Sequence, residues 1–205
     1  MFPERIETGR LELTALTPEN VDVLDYYEVC SGNANDDIEV VTEFLPWEPH
    51  ETPKETADFL DSLADQREEG ENAEFVVRPR EGEDSAGQIA GAVGLKPHWE
   101  HRTGELGIWL RKPFWGRGYY AEAFAELARV AFDCLDLEAV EILHRHGNEQ
   151  SQRATEKFVK SLGGRHEGHF RNFWTGPGGP ADAHRYTVSA GEYEETSVQD
   201  EGEAP

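Results

Sequence analysis

From Arg111 to Ala123 the chain reads R-K-P-F-W-G-R-G-Y-Y-A-E-A, and the residue types there suit the binding of an anion. Two glycines just ahead of a helical pattern leave the first N–H groups of that helix uncovered and let a ligand approach the backbone closely, which makes a cradle for phosphate. Arg111, Lys112 and Arg117 place three of the 19 Lys and Arg residues within seven positions, a clustering that a polyanionic ligand explains. The string Gly116-Arg117-Gly118-Tyr119-Tyr120-Ala121 also satisfies the G-x-G-x-x-A dinucleotide fingerprint. That fingerprint belongs directly after the first strand of a parallel sheet, with an acid at the end of the next strand. Here it begins only at position 116 and the next strand ends His144-Arg145-His146-Gly147, so a nicotinamide or flavin cofactor is disfavoured.

Other polar residues recur at spacings that could serve a site. Asn148 and Ser151 stand three apart at the start of a helical pattern; both types favour N-caps, and the same spacing can turn both toward one helix mouth. Arg153 and Lys157 are four apart on that helix, where charges either reach a phosphate or simply face solvent. His144 and His146 alternate onto one strand face, and His166 and His169 are three apart. No carboxylate or cysteine spacing completes a metal set around them, so no metal is expected.

These residues need elements to hold them. Leu11 and Leu13, with Thr14 to Leu16, alternate as a strand. Thr17-Pro18 reads as a helix start followed by Val21, Leu24 and Tyr27, and Thr52-Pro53-Lys54-Glu55 is a capping box for a second helix running to about Glu69 with Phe59, Leu60 and Leu63 inward. Residues 73–78 and 88–95 read as strands joined by an acidic turn, and residues 105–110 as a third, with Glu105, Gly107 and Trp109 sharing one face. Tyr120, Phe124, Leu127, Ala131 and Leu135 recur at helical intervals over 118–135. A strand over 139–146 precedes a helix over 151–162, stopped by Gly163-Gly164. Strand, helix, strand implies a parallel crossover beside an antiparallel meander.

The stretch G-E-L-G-I-W-L-x2-P-F-W-G-x-G-Y-x2-E-A, then A-F-x2-L-x-L, then N-x2-S-x2-A-x2-K, resembles the GCN5-related N-acetyltransferases (GNAT), and within them the ribosomal-protein N-terminal acetyltransferase branch. The likeness runs from R-L-E-L at Arg10 to R-Y-T-V ending at Val188. It implies a fold of α/β (α+β) type: a mixed, mostly antiparallel central sheet flanked by helices, with two parallel strands splayed apart. It implies acetyl-CoA as cosubstrate, its diphosphate on the backbone of Trp115, Gly116, Arg117, Gly118 and Tyr119 and its pantetheine arm along Ile108, Trp109 and Leu110, one of whose amides polarises the thioester carbonyl. Asn148 would hold the pantetheine amide, Ser151 would protonate the departing thiolate, and Glu105, at the family's base position, would take the proton of the attacking amine. Trp47, Trp99 and Trp174 are candidate walls of an acceptor pocket, and residues 46–50 a candidate acceptor loop. Where the family commonly has E-K-x-G-F, this chain has Glu156 to Gly164, a helix about one turn longer.

The resemblance leaves the acceptor open between a protein N-terminal α-amine, the leading reading, and a small amine such as a polyamine, amino sugar or amino acid. A non-catalytic acyl-CoA sensor is the alternative from another class, and a homodimer paired through sheet edges is compatible with such a fold.

The 205 residues carry 19 Lys and Arg against 42 Asp and Glu, a net charge of −23. That argues against nucleic acid or an anionic membrane as partner and resembles the surface of salt-adapted proteins. With 37 % apolar residues and no apolar run long enough to span a bilayer, and no export-type leader in MFPERIETGR, the expectation is a cytoplasmic protein with one acetyltransferase domain over 1–191. An acidic tail over 192–205 is expected to be disordered. Cys30 and Cys134, the only cysteines, are expected to be buried thiols.

Overall fold

The computed structural model describes residues 1–33 and 35–202. Eight strands form one sheet in the order β1-β2-β3-β4-β5-β6-β8-β7: β1 (Arg5–Glu7), β2 (Leu11–Ala15), β3 (Ala73–Pro79), β4 (Gly91–His98), β5 (Thr103–Leu110), β6 (Ala139–Arg145), β7 (Arg165–Trp174) and β8 (Ala181–Ser189). Every neighbouring pair is antiparallel except β5 and β6, which run parallel over Thr103–Leu106 and Ala139–Ile142. The helices are α1 (Val23–Cys30), α2 (Ile38–Thr42), α3 (Pro53–Glu69), α4 (Tyr119–Arg129), α5 (Glu149–Ser161) and α6 (Ala190–Gly202). The expected mixed, mostly antiparallel sheet with one parallel pair is the sheet observed.

Strand alternation divides the core between the two faces of the sheet. Leu11, Leu13, Phe75, Val77, Val93, Leu95 and Leu106 meet Phe124, Leu127 and Ala131 of the α4 segment and Phe158 and Val159 of α5. Leu16, Val76 and Ala92 meet Tyr26 and Val29 of α1 and Leu60 and Leu63 of α3. Removing water from these side chains is the main stabilising contribution. The Thr52 cap forms as read, its Oγ1 accepting from Glu55 N at 3.2 Å, while Glu55 Oε2 accepts from Glu51 N at 2.8 Å, one residue ahead of the N-cap, in place of the Thr52 N–H of a full capping box. Phe59, expected inward, stands 38 % exposed and stacks on Tyr26 at its flank. The α4 helix continues into a π turn over Val130–Cys134, where Leu135 N bonds to Val130 O. Gly163, in the left-handed region, ends α5, and Gly164 N returns to Val159 O at 2.9 Å.

Several expectations are corrected. The first helix begins at Val23, capped by Asp22 Oδ1, which accepts from Leu24 N and Asp25 N; Thr17-Pro18 instead opens a turn that leads into it. Residues 192–202 are helical: Ser189 and Glu192 form a reciprocal capping box, Glu192 Oε2 accepting from Ser189 N at 2.8 Å and Ser189 Oγ from Glu192 N at 3.3 Å, and Tyr193 stacks on Phe132. The remaining three positions of the expected tail, 203–205, lie outside the described residues. Cys30 is buried, which pushes its thiol up to about 12, whereas Cys134 is exposed at the end of the π turn.

One clamp ties the start of α4 to β2. Glu122 accepts from Arg10 N at 2.8 Å, from Arg10 Nε at 2.7 Å and from Thr8 Oγ1, while Arg10 Nη1 donates to Arg117 O at 2.8 Å. Burial alone would raise the Glu122 carboxyl, but the bonds from Thr8 and Arg10 outweigh it and hold the carboxyl below its ordinary range. The contribution of Glu122 is therefore complete above the unfolded carboxylate pKa, near 4.3, and is lost as pH falls through its lower folded value. Glu122→Ala should cost about 1.5–3 kcal/mol at neutral pH, read from denaturant melts, and the deficit should shrink on acidification. An equal deficit throughout the acid range would assign the loss to packing.

Candidate active site

Parallel pairing between β5 and β6 ends at Leu106 and Ile142. Beyond that point Gly107 to Leu110 stay on β4, opposite Gly94 to Gly91, while Leu143 to Arg145 stay on β8, opposite Arg185 to Ala183. The two strands part, and the gap opens into a cleft of about 650 Å³. Ile108, Trp109 and Leu110 form one wall and Leu143, His144 and Arg145 the other; Trp115, Gly116, Gly118, Tyr119 and Tyr120 lie at the mouth, and Asn148, Ser151, Ala154 and Lys157 border it from α5. Of the residues expected to bind cofactor, all but Arg117 line this one space.

The mouth is built by two positive-φ glycines. Gly116 (φ 74°) turns the chain out of a 3₁₀ turn over Lys112–Phe114, and Gly118 (φ 81°) is the N-cap of α4, with no side chain among the described residues capping the helix. A Cβ on Gly116 would meet nothing within 4 Å, so the space beside the turn is open to a ligand. The three cations expected to draw the phosphates are engaged elsewhere: Arg111 donates to Ile89 O, Lys112 pairs with Asp37 at 2.8 Å, and Arg117 donates to Asp84 O while lying over Phe114. Positive potential at the mouth therefore comes from backbone N–H groups, with Lys157 and Arg145 as the cations on the lining. Arg153 instead pairs with Glu149 in solvent.

Asn148 caps α5, its Oδ1 accepting from Ser151 N at 3.0 Å. The Ser151 hydroxyl makes no hydrogen bond among the described residues and borders the cleft, which leaves it free to donate. Glu105 does not line the cleft. It stands one residue before the last parallel pair, half-exposed, with His98 Nε2 at 3.6 Å. Its neighbour across the parallel register, Glu141, is ion-paired with Arg185.

Glu74 emerges without a signal in the sequence, and His144, noted there only beside His146, takes a place in the cleft. Glu74 of β3 lies opposite Gly94, which in turn lies opposite Gly107. A Cβ on Gly94 would collide with the Glu74 carboxylate, so this glycine leaves the side chain room to reach across the sheet toward Glu105. Burial pushes the Glu74 carboxyl up to about 7, a hydrogen bond from Asn72 opposing and the charge of Glu105 adding. His144 is 4 % exposed on the β6 wall; its Nδ1 lies 3.1 Å from Arg145 O and its Nε2 is buried without a hydrogen-bond partner among the described residues. Burial lowers its pKa, favouring the neutral ring, and the Nδ1–H contact to Arg145 O leaves Nε2 as the bare nitrogen. Trp47 packs edge-on against Trp109, ring centres 5.4 Å apart, and Trp174 lines the cleft. Trp99 is not at the site: its indole donates to Gly70 O beyond the opposite end of β4 and β5.

A groove between parted strands with a helix N-terminus at its mouth, and carboxylates on the sheet beside it, can hold a long phosphate-ended chain and accept a proton from an attacking amine. The sequence matches the Acetyltransferase (GNAT) domain over residues 10–158. The chain belongs to the GNAT family of acetyltransferases. An uncharacterized N-acetyltransferase of Bacillus licheniformis, p20, is 26 % identical over 191 residues, 93 % of this chain and 98 % of that one. A GCN5-related N-acetyltransferase from Brucella melitensis superposes with a TM-score of 0.76 at 22 % identity, covering 100 % of this chain and 87 % of that chain. RimL, a ribosomal L7/L12 alpha-N-protein acetyltransferase solved in complex with coenzyme A, has the same fold at a TM-score of 0.73 and 18 % identity, over 91 % of this chain and 98 % of its own.

The raised pKa of Glu74 has a testable sign. A carboxyl raised in the fold favours the native state below its unfolded pKa, near 4.3, and that advantage is lost as pH climbs through about 7. Glu74→Gln should therefore melt higher than wild type at pH 8 and much closer to it at pH 5. A constant difference across this range would mean that Glu74 titrates normally.

Proposed function

We propose that the protein transfers the acetyl group of acetyl-CoA to a primary amine by direct attack in a ternary complex, and that the amine is the N-terminal α-amine of a protein. The observation that carries this reading is the cleft between the parted strands, which runs from the uncapped start of α4 along Ile108 to Leu110, with Glu105 a few residues back on the same strand and outside the lining. The diphosphate rests on the amides of Trp115 to Tyr119, and pantetheine takes the place of a strand between β5 and β6. The amine comes in over the face that carries Trp109, and Glu105 takes its proton. Ser151 supplies a proton to the leaving thiolate. The acceptor assignment draws on the fold shared with RimL. A small cationic amine is the second reading, favoured by Glu74, Glu105 and Glu141, which crowd one sheet face with carboxylates. The cytoplasm, as the compartment of acetyl-CoA and ribosomes, is the location that goes with this function.

Calorimetry should show CoA binding far more tightly than pantetheine, and Gly116→Glu should abolish binding by placing a carboxylate in the cradle; equal affinity for the two ligands would exclude phosphate recognition at the turn. Thiol release with a panel of N-terminal peptides and small amines identifies the acceptor, and a panel without turnover would favour a sensor. With the true acceptor, Glu105→Gln should lower kcat about 10²-fold or more near neutral pH with CoA affinity unchanged, and raising the pH should restore part of the rate because more amine is already deprotonated. Full turnover of Glu105→Gln across pH would move the base to Glu74 or to water.

A further inference from the structure

His144, His146, His166, His169 and His184, five of the eight histidines, gather on β6, β8 and β7. The register sets His184 directly between His144 on β6 and His169 on β7. His146, just past the end of β6, is held by its backbone N bonding to Asp182 O at 2.8 Å. The ring of His184 lies 4.9 Å from that of His169 and 5.2 Å from that of His146, centre to centre. His146 Nδ1 and His184 Nε2 are 2.9 Å apart, and one ring nitrogen from each of His146, His169 and His184 falls within 4.8 Å of the other two.

From this convergence we propose that His146, His169 and His184 form a binding site for a divalent transition-metal ion, zinc being the best match. The chemistry of the donors favours it. Imidazole nitrogens suit Zn²⁺, Ni²⁺ and Cu²⁺ and not Mg²⁺ or Ca²⁺, which take oxygen. A tetrahedral zinc with Zn–N bonds of about 2.0–2.1 Å holds its ligand nitrogens about 3.3–3.4 Å apart, a spacing these rings reach by small side-chain rotations. Two of the three rings are already oriented by partners outside the trio. His184 Nδ1 lies 3.2 Å from His166 Nε2, leaving Nε2 facing His146, and His169 Nε2 is 2.8 Å from Asp182 Oδ2. Ligating histidines need such partners to fix ring and tautomer. Asp182 is itself anchored by Asn172 N at 3.0 Å, and it supplies the negative charge that a dication draws on. His146 and His169 are exposed, so an ion enters directly from solvent.

The site is separate from the acyl-transfer cleft and does not depend on the proposed acceptor. It touches that cleft at one point: the His144 ring, which forms part of the wall, stacks on His184 at 5.1 Å. A bound ion would fix His184 and so stiffen that wall.

The test uses the full chain after chelator treatment, titrated with ZnCl₂ by calorimetry, with Cu²⁺ loading followed by electron paramagnetic resonance. One ion per chain should bind, excess Mg²⁺ should not compete, and the copper spectrum should show hyperfine splitting from several nitrogens. The His146→Gln, His169→Gln double variant changes two exposed side chains and should retain the fold by circular dichroism while losing about 100-fold or more in zinc affinity. Asp182→Asn should lose about 10-fold, and His101→Gln, on the turn between β4 and β5, should lose nothing. Zinc binding left intact in the double variant, or no binding by wild type above that of the double variant, overturns the proposal.

Discussion

The parallel pairing of β5 with β6 lasts four residues and then stops, although both strands continue, one held by β4 and the other by β8. Backbone N–H and C=O groups inside a sheet need partners, and a sheet split from within exposes such groups on two facing edges. A ligand that runs as a strand between them, with amides of its own, satisfies them in the way an added strand satisfies a sheet edge. The remaining architecture serves this opening. The Arg10–Glu122 clamp fixes α4 so that its first amides stand at the mouth, and the Tyr120–Thr155 hydrogen bond at 2.7 Å ties α4 to α5 across the cleft.

The electrostatics divide along the same line. In a chain of net charge −23, the polyanionic end of a ligand must be met by local potential, and the cations beside the glycine turn are committed to protein carbonyls and to Asp37. Backbone dipoles meet that need without a side chain that must be desolvated. On the sheet beside the cleft, Glu74 and Glu105 lie on the same face, and burial, with the charge of Glu105 adding a smaller part, pushes the Glu74 carboxyl up to about 7. A carboxyl that titrates near neutrality is suited to exchange a proton with an amine or with solvent.

Local signals carried much of the frame. Thr52-Pro53-Lys54-Glu55 and the Tyr120–Phe124–Leu127 spacing marked α3 and α4 because capping and amphipathicity are written in neighbouring residues. The turn glycines were legible for the same reason. The hairpin of β7 and β8 was not read as such, since β7 is an edge strand whose residues are mostly exposed and show no alternation. The start of α6 did carry a capping box at Ser189 and Glu192, but the acidity of the helix itself masked it. Glu74 had no local mark at all: its position depends on Gly94, one strand away. Side-chain direction was equally hidden, which is why Arg117 sits in the expected turn yet points to Asp84.

Hydrogen–deuterium exchange of the full chain with and without CoA tests most directly whether a ligand completes the split sheet. The account predicts slowed exchange confined to Ile108–Leu110 of β5, the Gly116–Tyr119 turn and the start of α5, with β1 to β3 and the β7–β8 hairpin unchanged. Protection that spares Ile108–Leu110, or that spreads evenly over the sheet, would contradict it.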